Sequence, residues 1–373
     1  MTLRVLSVFG TRPEAVKMAP VVRQLKRTPG IESFVCVTAQ HRQMLDQVLN
    51  LFGITPEVDL DLMREDQSLA QMSAAIFTYL DPVLSDINPD WVLVQGDTTT
   101  VAIAALLAYY RRIKVGHVEA GLRTHDKWQP FPEEINRRVA GVAADLHFAP
   151  TEWARQNLLR EGVSEKQIAV TGNPVIDALQ VVAQQPIPET MEILLARLNT
   201  GAGGRRLILV TAHRRENFGE PLQSICEALK RLATRGDIEI VYPVHLNPNV
   251  KEPVYRLLGN LRHVTLLPPL DYLPLVHLMK RASLVLTDSG GIQEEAPAFG
   301  IPVLVLREVT ERPEGVEAGT LKLVGTDTER IFSQAARLLD DPVEYAKMAK
   351  AANPFGDGHA AGRIVKALVD YPG

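Results

Sequence analysis

From Ser283 to Gly300 the chain reads Ser-Leu-Val-Leu-Thr-Asp-Ser-Gly-Gly-Ile-Gln-Glu-Glu-Ala-Pro-Ala-Phe-Gly, and its residue types suit a phosphate site. Ser283–Thr287 is a short, β-branched and apolar run, as expected of a strand buried on both faces. Asp288 and Ser289 offer N-cap side chains, and Gly290 and Gly291 carry no Cβ to hold a ligand off the backbone. A helix starting there aims free N–H groups and its positive dipole end beyond the strand, which favours phosphate. Glu294 and Glu295, in its first turns, can accept hydrogen bonds from sugar hydroxyls. A phosphate cradle with an acid one turn on suggests a nucleotide, although a well-capped strand–helix turn would show the same serine and glycines.

Asp97, Glu119 and Glu133 are the candidate acid–base groups. Asp97 and Glu119 follow neighbouring strand-like runs, and Glu133 opens a helical pattern in Gln129-Pro130-Phe131-Pro132-Glu133-Glu134. Gathered carboxylates push one another's pKa values apart, creating an acid and a base in one site. For one of the two adjacent glutamates, an acid favoured by the helix dipole is an equally good account. Arg12 and Lys17 stand one turn apart where a helix begins, a place where cations oppose the dipole unless an anion joins them. His213 and Arg214 repeat this arrangement later, and Arg312 follows the run Val303–Leu306. No G-x-G-x-x-G follows the first strand and no Walker lysine motif is present, which argues against NAD binding and ATP hydrolysis. His41, His117, His213 and His245 lack metal-ligand spacing. Asp59-Leu60-Asp61 looks like the Asp-x-Asp of metal-dependent glycosyltransferases, yet in Val-Asp-Leu-Asp-Leu-Met it alternates like a strand or extended loop.

Positioning these residues requires strands alternating with helices from end to end, the pattern of parallel βαβ units. The sequence predicts strands at Arg4–Phe9, Phe34–Thr38, Trp91–Gln95, Lys114–Val118, Leu146–Ala149 and Ala169–Thr171. In the second half they are expected at Leu207–Thr211, Glu239–Pro243, Val264–Leu266, Leu284–Thr287 and Pro302–Leu306. Gln184–Pro188 and Asn199–Gly204 are the loop and linker candidates between the halves. Ligands of such sheets bind outside the carboxyl ends of the strands. Gly10-Thr11-Arg12, Gly96-Asp97, Glu119-Ala120-Gly121, His213-Arg214-Arg215 and Asp288-Ser289-Gly290-Gly291 all follow that rule.

The bulk properties agree. A chain of 373 residues suits two domains, and 46% apolar with 23% charged residues is ordinary for a globular enzyme. A net charge of −4 exerts no global pull on nucleic acid or an anionic membrane. Two distant cysteines, Cys36 and Cys226, imply no disulfide framework and fit a reducing cytoplasm. The early apolar run stops at Gly10-Thr11-Arg12-Pro13, too soon for a signal peptide, and Val101–Tyr110 is about half a membrane span. A soluble, cytoplasmic protein is expected.

Longer motifs now carry a resemblance. They are Gly10-Thr11-Arg12-Pro13-Glu14-Ala15-Val16-Lys17-Met18-Ala19-Pro20, Thr38-Ala39-Gln40-His41-Arg42, Gly96-Asp97-Thr98, Gly116 to Thr124 and Phe131-Pro132-Glu133-Glu134. Thr211 to Asn217, Pro243 to Pro248, the Ser-Gly-Gly segment and Thr310-Glu311-Arg312-Pro313-Glu314 extend the set. Together they resemble the bacterial non-hydrolysing UDP-N-acetylglucosamine 2-epimerases, from about residue 4 to the final helix. The resemblance implies an α/β fold of two doubly wound Rossmann-like domains, the GT-B-like arrangement, with the active site in the interdomain cleft. It implies an amino-terminal domain of residues 1–175 plus 358–373 and a UDP-binding domain of residues 176–357. It further implies a homodimer, a UDP-sugar substrate, and no cofactor or metal.

Carried onto matching positions, UDP would be held by Arg12, Lys17, His213, Leu270, Leu275, Ser289, Gly290, Gly291, Glu295 and Arg312. Asp97, Glu119 and Glu133, with His213, would form the catalytic set. Leu270 and Leu275 stand where some relatives carry glutamine and phenylalanine next to the uracil. Gln40, His41, Gln43, Arg214 and His245 match an allosteric site for a second UDP-N-acetylglucosamine, although Asp66 replaces a frequent arginine there and the nearby Arg64 is a candidate substitute. The reaction implied is reversible epimerisation at C2 through loss of UDP and a 2-acetamidoglucal intermediate. A hydrolysing 2-epimerase, a GT-B glycosyltransferase and a non-catalytic nucleotide-sugar sensor are the rival readings.

Overall fold

The computed structural model describes residues 2–38, 42–64, 66–198, 200 and 204–372, with only the backbone of Arg42 and Gln43. The described chain divides into two compact units, Met1–Ala178 with Phe355–Gly373, and Leu179–Pro354.

The first unit is built on a seven-stranded sheet in the order β3-β2-β1-β4-β5-β6-β7. Its strands are β1 (Leu3–Phe9), β2 (Ile31–Val37), β3 (Val58–Asp59), β4 (Trp91–Gln95), β5 (Lys114–Val118), β6 (Leu146–Ala149) and β7 (Ile168–Val170). Every neighbouring pair is parallel. All five residues of β4, Trp-Val-Leu-Val-Gln, are buried, the unbroken apolar pattern of a strand covered on both faces. Leu6, Val8, Val92, Val94 and Val115 pack with Ile76, Leu80, Leu84, Val101 and Ala105 from helices Leu69–Ile87 and Thr99–Tyr110 into one core.

The second unit carries a six-stranded parallel sheet in the order β10-β9-β8-β11-β12-β13. It comprises β8 (Arg206–Thr211), β9 (Ile238–Pro243), β10 (Val264–Leu267), β11 (Leu284–Thr287), β12 (Val303–Val305) and β13 (Leu321–Leu323). Ile208, Val210, Ile240, Tyr242, Leu284 and Leu286 form its core with Leu222, Ile225 and Leu229 from helix Glu220–Ala233.

Both sheets reverse their winding once, between β1 and β4 and between β8 and β11. Connections leave in opposite directions on either side of such a switch, opening a crevice beyond the strands' carboxyl ends. Gly10-Thr11-Arg12 and Gly96-Asp97 flank the first switch, and Ala212-His213-Arg214 and Asp288-Ser289-Gly290 flank the second.

The helix after β1, Arg12–Arg27, starts where local chemistry dictates. Thr11 is its N-cap, Pro13 lies in its first turn, and Glu14 reaches back 2.7 Å to the Thr11 N–H to complete a capping box. Glu14 also accepts from the Thr98 hydroxyl at 2.8 Å, and Thr98 in turn caps helix Thr99–Tyr110. One buried carboxylate thereby joins the two loops of the first switch.

The strand expectations need three corrections. β2 begins at Ile31, three residues before the expected Phe34, because Leu3–Phe9 pairs along the whole of Ile31–Val37. The short edge strands β3 and β13 were not expected; three residues of β13 owe their conformation to pairing with β12. Asp59-Leu60-Asp61 ends a strand in a turn, with the Asp61 N–H on the Asp59 carboxylate at 3.2 Å. No group of acids, histidines or cysteines able to hold a metal occurs among the described residues. Gln184–Pro188 is neither helix nor strand, whereas Asn199 and Gly201–Gly203 lie outside the described residues. No described helix is long and apolar enough to cross a membrane.

The last helix, Ala360–Val369, belongs to the first unit, and its first N–H groups are satisfied from a distance. Asp177 accepts from the Ala360 N–H at 3.1 Å and the Ala361 N–H at 2.9 Å. Asp177→Ala should cost about 1–2 kcal/mol, the usual worth of a helix cap. Hydrogen exchange should show the loss concentrated in residues 360–369; unchanged protection there would remove Asp177 from this role.

Candidate active site

At the first switch, β4 ends in Gln95-Gly96-Asp97 and β5 in Val118-Glu119. Glu119 adopts a left-handed backbone (φ 63°), which a residue with a Cβ holds only when its surroundings enforce it. They do. The Gly96 N–H binds the Val118 carbonyl at 3.0 Å, and the Ala120 N–H binds the Phe148 carbonyl at 3.1 Å. The turn brings the Glu119 carboxylate under three donors from other strand ends and the first helix. The Lys17 ammonium lies 2.6 Å from both oxygens, Asn173 donates at 3.0 Å, and Gln95 donates to Oε2. Gly121 lies two residues on, where a Cβ would come 2.3 Å from the Ala154 carbonyl oxygen and φ is 90°. Only glycine lets the chain leave this strand end so close to the next helix.

Asp97 receives the guanidinium of Arg137, one turn into the helix Glu133–Ala143. Its side chain is 29% exposed, yet the protein around it raises its pKa. Burial is the largest cause, Arg137 opposes it, and the negative charge of Glu119 adds to it. The two carboxylates thus sense one another. Glu134 is the buried partner of Arg137 (3.3 Å) and also accepts from the Thr124 N–H at 3.1 Å. Glu133, the first residue of this helix, has a buried Oε2 with no hydrogen-bond partner. Of the adjacent acids, then, Glu134 is structural and Glu133 retains a free acceptor.

Arg12 is partly exposed, and its side chain makes no hydrogen bond or ion pair among the described residues. The ammonium of Lys17, which the resemblance places beside the diphosphate, rests on Glu119.

At the second switch, the Thr211 and Thr287 hydroxyls meet at 2.6 Å, locking the ends of β8 and β11 together. Ser289 occupies the N-cap of helix Gly290–Glu295 but makes no side-chain cap bond. A Cβ on Gly290 would lie 3.6 Å from Nη2 of Arg312 and 3.8 Å from Nη2 of Arg214, so two guanidiniums converge on that glycine. Nothing approaches the Cβ position of Gly291 within 4 Å. Arg312 is held by Glu294, and Glu295, 5% exposed, accepts from Tyr272 at 3.3 Å. The His213 and His245 rings stack, 5.4 Å apart and 15° from parallel. Two guanidiniums thus meet at a glycine without a side chain at this helix start, and the stacked imidazoles belong to the same switch.

The comparisons with known proteins follow the same lines. The family model for UDP-N-acetylglucosamine 2-epimerase matches residues 23–369. The UDP-N-acetylglucosamine 2-epimerase of Salmonella typhimurium is 54% identical over 375 residues, covering 99% of this chain and 99% of that relative. The Escherichia coli K12 enzyme of that name is 55% identical over 369 residues, 98% of each chain. This chain belongs to the UDP-N-acetylglucosamine 2-epimerase family.

Among solved structures, the UDP-GlcNAc 2-epimerase from Neisseria meningitidis bound to UDP-GlcNAc superposes with a TM-score of 0.91 at 48% identity, over 99% of this chain and 100% of that one. The Methanocaldococcus jannaschii enzyme in complex with UDP-GlcNAc and UDP gives 0.80 at 32% identity, over 98% and 99%. A Rickettsia africae glycosyltransferase, at 14% identity and TM-score 0.65 over 99% and 100%, shares the fold alone. Two Rossmann-like units of GT-B type, the expected α/β class, are therefore observed.

The remaining family positions are distributed as follows. Leu275 is half-buried on helix Tyr272–Arg281, and Leu270 is half-buried just before it. Gln40 and His41 lie outside the described residues, and Gln43 is described only as backbone of helix Arg42–Phe52. Arg214 and His245 sit at the second switch, and Arg214 reaches Gly290. Arg64 turns its guanidinium onto its own loop, 2.9 Å from the Asp61 carbonyl and 2.7 Å from that of Met63. Gln95, Asn173, Arg137 and Tyr272, which hold the candidate carboxylates, went unremarked in the sequence. Gln95 and Asn173 also follow the strand-end rule that singled out Asp97 and Glu119.

Below the first switch, His117 Nε2 pairs with the Gly96 carbonyl at 2.7 Å. Burial drives the pKa of His117 down to about 3 and that of His147 to about 4. Both titrate near 6.5 when unfolded, so only the unfolded chain binds these protons as acid is added. Stability is therefore complete above that pH and lost as pH falls towards the folded values. Between pH 6 and 5 each histidine should remove up to about 1.4 kcal/mol per pH unit. Thermal melts should show this slope, and His147→Gln should reduce it; an unchanged slope would contradict the assignment.

Proposed function

We propose that this enzyme interconverts UDP-N-acetylglucosamine and UDP-N-acetylmannosamine without hydrolysing either. The observation that carries the reading is the electrostatically coupled pair Asp97 and Glu119 at adjacent strand ends. Family membership and the arginine-lined glycine helix start at Gly290 support it.

The chemistry explains the equipment. The C2 proton of the sugar is not next to a carbonyl, so direct removal is prohibitively slow. Breaking the bond from C1 to the diphosphate oxygen creates an oxocarbenium-like centre that acidifies C2. Loss of the C2 proton then gives 2-acetamidoglucal and UDP. Return of UDP to C1, with a proton delivered to the opposite face of C2, completes the inversion. No net oxidation or reduction occurs.

His213, Ser289, Gly290, Gly291, Arg312 and Arg12 are assigned to the leaving diphosphate, whose developing charge they stabilise. Leu270, Leu275 and Glu295 are assigned to the uridine. Two opposed faces need two proton-transfer groups, and Asp97 and Glu119 take these parts. Lys17, in contact with Glu119, is also assigned to holding that carboxylate in place. Glu133, with its free Oε2, completes the catalytic set.

Proton NMR in heavy water tests the reaction. Deuterium should enter C2 of both sugars, and the two nucleotide sugars should persist. Free N-acetylmannosamine with UDP would indicate the hydrolysing enzyme, sugar on an acceptor a glycosyltransferase, and unlabelled substrate a binding protein.

Glu119→Gln and Asp97→Asn should each slow turnover by roughly 10²–10⁴, the usual worth of a positioned acid or base. Substrate affinity should change far less. Near-normal turnover in either variant would exclude that residue from proton transfer.

A further inference from the structure

The switch between β8 and β11 contains a buried acid with no part so far. Asp288 follows β11, is 0% exposed, and was expected from the sequence to cap the helix that follows. It turns the other way. Its Oδ2 accepts three hydrogen bonds, from the His213 N–H at 2.7 Å, the Arg214 N–H at 2.8 Å and Asn217 Nδ2 at 3.0 Å. Its Oδ1 is buried, accepts no hydrogen bond, and lies 3.7 Å from His213 Nδ1.

That division of labour is informative. Holding two backbone N–H groups and an amide requires one neutral oxygen, which asparagine would supply. A buried carboxylate costs more than a neutral amide unless its charge is answered. Among the described residues the nearest group able to answer it at Oδ1 is the imidazole of His213. The separation is an ion-pair distance rather than a hydrogen bond, and such contacts commonly tighten only when a site is loaded.

From this geometry, and resting on the diphosphate reading above, we infer that Asp288 is a positioning residue that acts through His213. It orients the imidazole with Nδ1–H towards Oδ1 and presents Nε2 to a diphosphate oxygen. The logic is that of any buried carboxylate behind a working histidine: the hydrogen bond at one nitrogen decides what the other can do. The stacked His245 ring restrains the plane of the imidazole, and the carboxylate restrains its rotation within that plane. The same Oδ2 contacts place the Arg214 backbone, and hence the start of the side chain that reaches Gly290.

The test uses the full chain and the conservative variant Asp288→Asn, whose amide oxygen can keep all three Oδ2 contacts while the charge facing His213 is lost. Calorimetry measures binding of UDP and of uridine. Asp288→Asn should weaken UDP by roughly tenfold, as expected for one charge-assisted bond, and leave uridine nearly unchanged. Equal losses for both ligands would mark general damage and overturn the inference. His213→Ala alone should also weaken UDP, and adding Asp288→Asn to it should cost little more. A full further loss in the double variant would show that Asp288 does not act through His213, leaving the diphosphate reading intact. Unchanged UDP affinity in His213→Ala would overturn both. If Asp288→Asn fails to fold, nitrogen-15 spectra of the unaltered protein decide, since His213 must carry a proton on Nδ1. A bare Nδ1 would overturn the inference.

Discussion

The candidate site in each unit depends on keeping buried charge answered by groups from different strand ends. Glu119 is 5% exposed, and a carboxylate so buried is tolerable only where donors converge on it, as Lys17, Gln95 and Asn173 do. Those partners come from the helix after β1, the end of β4 and the loop after β7. Their convergence requires the sheet to be assembled in its full order. A single carboxylate thus ties the candidate site to the fold of the unit. Its left-handed backbone adds strain, on the order of 1–3 kcal/mol, that the neighbouring sheet hydrogen bonds must hold.

The second unit solves the same problem with the opposite sign. There the candidate groups are cations, and carboxylates are their supports. Asp288 secures the His213–Arg214 loop, and Glu294 secures Arg312. A guanidinium already braced by an acid loses less freedom when an anion arrives, which is the advantage of preorganisation. Under the proposed function the second unit meets the leaving anion, and the first moves the proton.

Apart from Glu119, the acids divide into candidate and supporting groups by what their oxygens touch. Glu14, Glu134 and Asp177 are consumed by backbone N–H groups and arginines. Glu133 keeps an unpartnered oxygen, and Asp97 keeps partial exposure and a raised pKa. Neighbours in sequence can fall on opposite sides of this division, as Glu133 and Glu134 do, because successive helical residues point about 100° apart.

The sequence alone determined the alternation of strands and helices, the parallel α/β class and the clusters at strand ends. These follow from local chemistry: β-branched runs for buried strands, glycine where a side chain would clash, proline and threonine where helices open. Its long motifs also sufficed to indicate the family. The edge strands β3 and β13 were illegible, since two or three residues take up a strand conformation only against a partner. So were the partners of the candidate groups. Lys17 reads as a phosphate cation, and its contact with Glu119, 102 positions further on, exists only in the folded chain. Asp288 reads as a helix cap until β8 pairs beside β11 and delivers two N–H groups to its oxygen. Spacing along the chain reveals which residues share a turn or a strand end. Which charge answers which is decided by sheet order, because only the assembled sheet brings distant strand ends within hydrogen-bonding distance.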